Sequence, residues 1–74
     1  MLTLAEAAYL DSRFGVETEL PRAGSALENP FVFDASAREL KQLAERGLIQ
    51  VTREQTAMLA DECLIERFSF KRLR

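Results

Sequence analysis

The stretch from Ser36 to Val51, Ser-Ala-Arg-Glu-Leu-Lys-Gln-Leu-Ala-Glu-Arg-Gly-Leu-Ile-Gln-Val, limits the fold more than any other part of the chain. Ser36 followed three residues later by Glu39 is the capping-box pattern, in which each side chain meets an orphaned backbone N–H at a helix start. Asp34 is a competing cap two residues earlier. Ala37, Leu40, Leu43 and Ala44 follow the i, i+3, i+4, i+7 spacing of a buried stripe, so a helix is expected over 37–46. Gly47 supplies the left-handed residue that ends it, and Leu48 can fold back onto Leu43. Leu48 to Arg53 then reads as a strand, with Ile49 and Val51 inward and Gln50 and Thr52 outward.

The other segments read as cover for this unit. Thr3 to Phe14 is a second expected helix, with Thr3 and Glu6 as its capping box and Gly15 just past its end. Residues 16–30 read as a loop punctuated by Pro21, Gly24, Ser25 and Asn29-Pro30. Within it Glu17–Leu20 could form a short edge strand and Ser25–Glu28 one helical turn. Phe31-Val32-Phe33 reads as a short strand, Pro30 suiting a first position where the missing N–H matters least. Beyond Arg53 two readings stay open. A helix could run through 57–60, or the strand could continue, because Gln50, Thr52, Glu54 and Thr56 keep a polar side. Cys63 to Lys71 is expected to be extended, with Leu64, Phe68 and Phe70 on one face and Arg67, Ser69 and Lys71 on the other; Glu66 interrupts that alternation. The expected fold is α+β, one small domain over 1–74, with two helices packed on one face of a small three-stranded sheet built from 31–33, 48–53 and 63–71.

A chain of 74 residues buries only about 60% of the surface it exposes when unfolded. Staples are scarce, because Cys63 is the only cysteine and histidine is absent. Disulfide and zinc sites therefore lack their usual ligands, and neither metal nor cofactor is expected. Nucleophilic catalysis lacks its usual base. Cys63, between Glu62 and Leu64, reads as a small buried hydrophobe. Asp61 and Glu62 are adjacent and so do not converge, and phosphate-loop or EF-hand patterns are missing. The chain reads as a non-enzyme. The N-terminal stretch has no basic leader and is interrupted by Glu6 and Asp11, and no membrane-length apolar run occurs. A cytoplasmic location without a membrane partner is the expectation.

The net charge of −2 hides an asymmetry. Residues 1–34 carry −4 and residues 35–74 carry +2, with Arg67, Lys71, Arg72 and Arg74 closing the chain. The pattern Leu40-x-x-Leu43-x-x-x-Gly47-Leu48-Ile49, followed by a strand and a basic strand, resembles the recognition helix and wing of winged-helix DNA-binding domains over about residues 36–72. The resemblance implies that Arg38, Lys41 and Gln42 face the groove and that Lys71 and Arg72 lie on or beside the wing. Two function classes follow. One is a protein-interaction or regulatory module acting through a sheet edge or helix face, toward another protein or a second copy of itself. The other is a winged-helix-like DNA-binding protein using the 37–46 helix and the basic 67–74 strand. Arg38, Lys41, Gln42, Arg67, Lys71 and Arg72 are the candidate binding residues under both. Protein is the favoured partner, because the overall charge is acidic and Glu39 and Glu45 on the same helix repel phosphate.

Overall fold

A computed structural model describes residues 3–20 and 26–74. The elements run α1 (Leu4–Asp11), β1 (Glu17–Glu19), a 3-10 turn (Ala26–Glu28), α2 (Pro30–Glu45), β2 (Ile49–Leu59) and β3 (Glu62–Arg72). The strands form an antiparallel sheet in the order β1-β3-β2. The helices pack on one face, giving the expected α+β fold. Pro21, Gly24 and Ser25, read as loop punctuation, lie outside the described residues.

The composition of the sheet differs from the expectation. Phe31–Phe33 is not a strand but the first turn of α2. Asn29 caps that helix, its side-chain oxygen accepting the N–H groups of Phe31 and Val32, and Pro30 takes a first-turn position where its missing N–H costs nothing. Ser36 and Asp34, the expected caps, are therefore buried in the helix interior. Glu39 does not close a box on its own helix; its carboxylate accepts the hydroxyl of Thr3, the α1 cap. The third strand comes instead from Glu17–Glu19, and residues 54–59 continue β2 rather than forming a helix.

The end of α2 is as expected. Gly47 has φ +77, its N–H donates to the Ala44 carbonyl at 3.0 Å, and the Leu48 N–H donates to the Leu43 carbonyl at 3.1 Å. These are the paired bonds of a Schellman stop. Helix α1 has its capping box but is shorter than expected, ending at Asp11 with Ser12 as its cap. Gly15, with φ +72, serves the later turn into β1, where its N–H donates to the Arg72 carbonyl at 2.9 Å.

One contiguous core joins Phe33, Ala37, Leu40 and Leu43 of α2 to Ile49, Ile65, Phe68 and Phe70 of the hairpin, with Ala5, Leu20 and Leu27 at its margins. Two β-bulges decide which hairpin residues reach it. Pairing runs Val51↔Phe70 and then Arg53↔Ser69, leaving Thr52 as an extra residue in β2; it runs Gln55↔Arg67 and then Thr56↔Ile65, leaving Glu66 extra in β3. Each bulge inverts the side-chain phase of its strand. Glu66 is therefore accommodated, and Ile65, rather than Leu64, joins Phe68 and Phe70 in the core. Thr52 likewise breaks the polar side read from the sequence. Glu54 turns toward α2, where it pairs with Lys41 at 3.2 Å.

Candidate functional site

The six basic or polar candidates do not form one site. Three are engaged inside the fold. Arg38 Nε donates to Asp34 Oδ2 at 2.9 Å, and its Nη2 donates to the Cys63 carbonyl at 3.3 Å. Lys41 is paired with Glu54. Arg72 sits between the rings of Tyr9 and Phe14, at 4.6 and 4.3 Å from their centroids. Its Nη1 also donates to the carbonyls of Leu10 and Ser12, both at 3.3 Å, so it closes the last turn of α1 as a structural clamp. Gln42 is exposed beside a shallow cleft lined by Glu6, Glu39, Leu43 and Arg46, apart from the hairpin.

Arg67 and Lys71 lie together on the sheet face that α2 does not cover. Along β3, Arg67, Ser69 and Lys71 alternate with the buried Phe68 and Phe70. The register sets Gln55 opposite Arg67, Arg53 opposite Ser69 and Gln50 opposite Lys71. Arg53 and Arg67 are thus diagonal neighbours, roughly 7–8 Å apart at Cα, and Lys71 is two residues beyond Ser69. Neither arginine nor Lys71 has an ion-pair partner among the described residues. On the far side, β1 contributes Glu17 opposite Lys71 and Glu19 opposite Ser69. Glu17 also accepts the hydroxyl of the bulged Thr52 at 3.0 Å.

Arg53 was not among the sequence candidates, because strict alternation gives it to the inward side with Ile49 and Val51, and only the Thr52 bulge turns it outward. The far half of the hairpin was not singled out either. Cys63, expected to be buried, is exposed there because this part of the ribbon projects beyond the core. Met58 is 69% and Leu59 42% exposed, beside a groove of about 210 Å³ lined by Pro30, Ala57, Leu64 and Ile65. Two apolar residues next to the Ala60-Asp61 turn were the available signal. The outer edge of β2 is unpaired along all 11 residues among the described part of the chain, since β2 pairs with β3 alone.

Asp34 has a displaced titration. Burial opposes its ionisation, but the Ile65 N–H at 2.8 Å and the Arg38 guanidinium outweigh that, holding its pKa below the ordinary aspartate value. Its role is to bind β3 to α2 beside the Glu66 bulge.

The winged-helix resemblance implies a helix, a stop and a two-stranded wing, and α2, Gly47 and the β2–β3 hairpin follow that order. Directly before α2, where the supporting helix would stand, the chain has the 3-10 turn at Ala26–Glu28. No described helix is long and apolar enough to cross a membrane. Comparison with family models, curated proteins and solved structures finds no match to this chain.

Proposed function

We propose that the chain is a non-enzymatic protein-interaction module of the cytoplasm, and that it binds by adding a partner's extended segment to the free edge of β2. One observation carries the reading: an 11-residue strand at the border of the sheet with only one side paired. A free edge offers a row of N–H and C=O groups to any extended chain, and edge addition is a recurring mode of peptide recognition. The exposed Met58 and Leu59 supply apolar contact at the far end of that edge. Selection of displayed random octapeptides against the full chain, followed by amide mapping, tests it. Selected peptides should protect β2 amides from exchange; peptides that protect only α2 or β1 would overturn it.

The second reading, a winged-helix-like DNA-binding protein, is favoured by the helix, stop and hairpin order alone. Against it, Arg38, Lys41 and Arg72 already have partners in the fold. Titration with mixed duplex DNA at low and moderate salt separates the two, because phosphate-driven binding falls steeply as salt rises. Absence of binding at low salt would remove the DNA reading.

A further inference from the structure

The free edge of β2 is chemically uneven. Near its middle, Arg53 stands at the border strand with Arg67 and Lys71 on the adjacent strand, all on the same open face and all without ion-pair partners among the described residues. Gln50 and Gln55 add exposed hydrogen-bonding groups to that face, while Ser69 is buried between its neighbours. Glu17 and Glu19 stand opposite Lys71 and Ser69 on the β1 side, the Glu17 carboxylate reaching across to Thr52, and Glu66 is exposed beside Arg67, so Arg53 and Arg67 are the part of the cluster nearest the β2 edge. Five residues further along β2 come Met58 and the apolar groove beside Pro30. At about 3.3 Å per residue, the basic cluster and the groove are roughly 17 Å apart along the strand.

We infer that the β2 edge selects an extended segment of another protein that carries an apolar residue for the Met58–Pro30 groove and carboxylates about five residues away for the Arg53–Arg67–Lys71 cluster. The inference rests on the strand-addition reading and specifies its partner. Antiparallel pairing, the more stable arrangement, places the apolar residue first and the acids after it. Charge complementarity fixes the class of partner. A second copy of the chain fits poorly, because a two-fold pairing centred near the middle of β2 brings Arg53 within diagonal reach of its own copy, and like charges there are destabilising. Single-stranded nucleic acid fits poorly too: it needs aromatic platforms, and on β3 Phe68 and Phe70 both point to the core.

The test uses the full chain, labelled for amide detection, and three acetylated octapeptides. Each begins with leucine and valine, continues in threonine, and ends in two glutamates, two glutamines or two lysines. The glutamate peptide should shift amides over Arg53–Leu59 and bind on the order of tenfold more tightly than the glutamine peptide at low salt, with the lysine peptide weakest. Replacing Arg53→Glu together with Arg67→Glu, both on exposed side chains, should abolish the glutamate preference and make the lysine peptide tighter than the glutamate one. Lys71→Glu should reduce the glutamate preference in part. Equal binding of the three peptides would overturn the charge inference while strand addition stands. Failure of every peptide to shift β2 would sink both. Salt-sensitive binding of oligothymidine to the open face, tighter than the glutamate peptide, would replace the protein partner with nucleic acid. Sedimentation showing a dimer joined through β2 would replace it with a second copy.

Discussion

Asp34 shows how a single residue can join two layers. It is buried one turn into α2, yet both its oxygens are used, one by the Ile65 N–H and one by Arg38. Removing the carboxylate would leave a buried backbone donor beside the Glu66 bulge unsatisfied. Asp34→Ala should therefore cost about 1–3 kcal/mol in urea unfolding. The pH dependence has a definite sign. The native pKa lies below the unfolded one. The contribution is therefore fully present above the ordinary aspartate value of about 3.9 and is lost as the pH falls below it through the depressed native value. The stability gap between the native chain and Asp34→Asn should accordingly narrow as pH drops from neutral toward 2, and a gap that widened would contradict the ionised pairing. Gly47 offers a second test at this scale. A Cβ there would meet no atom within 4 Å, so only its φ of +77 resists substitution. Gly47→Ala should lower stability by about 1 kcal/mol with no change in the core, as read by thermal unfolding and amide spectra.

The β2–β3 hairpin is the element that departs most from ordinary sequence rules. Its turn is Ala60-Asp61, and both residues are left-handed, at φ 52 and 64. That is the two-residue turn which asparagine and glycine adopt with least strain. Ala60→Asn with Asp61→Gly should stabilise the chain by about 1 kcal/mol, visible as a rise of about 4–8 °C in the thermal midpoint. The hairpin also shows what the sequence could and could not reveal. The α2 stop was legible, because glycine placement, the leucine stripe and the following β-branched run agree. The α2 start was not: Ser36 and Glu39 imitate a cap, while the true signal, Asn29 before Pro30, reads equally well as the end of a loop. Arg67 and Lys71 were legible as an outward-facing pair. Arg53 was not singled out as their neighbour, since that juxtaposition depends on two bulges that leave no compositional mark.

Taken whole, the molecule is an elongated body of 36 × 21 × 19 Å, with α2 and the sheet base holding the core and the hairpin tip extending past it. The two strands of the ribbon each carry one surplus residue, and the two offsets cancel. Ile49↔Arg72 at the base and Leu59↔Glu62 at the tip belong to the same register, while only Arg53–Gln55 is displaced. Deleting Glu66 alone should remove its bulge and keep every pair, Gln55↔Arg67 running straight on to Thr56↔Ile65, so urea unfolding should show only a small change while the same side chains meet α2. Removing Thr52 as well should leave an unbulged ladder from base to tip, with Arg53 still opposite Ser69 on the open face. Loss of length in this ribbon is thus accepted at either surplus position by itself, whereas loss of a paired inward residue such as Phe68 takes an anchor out of the core.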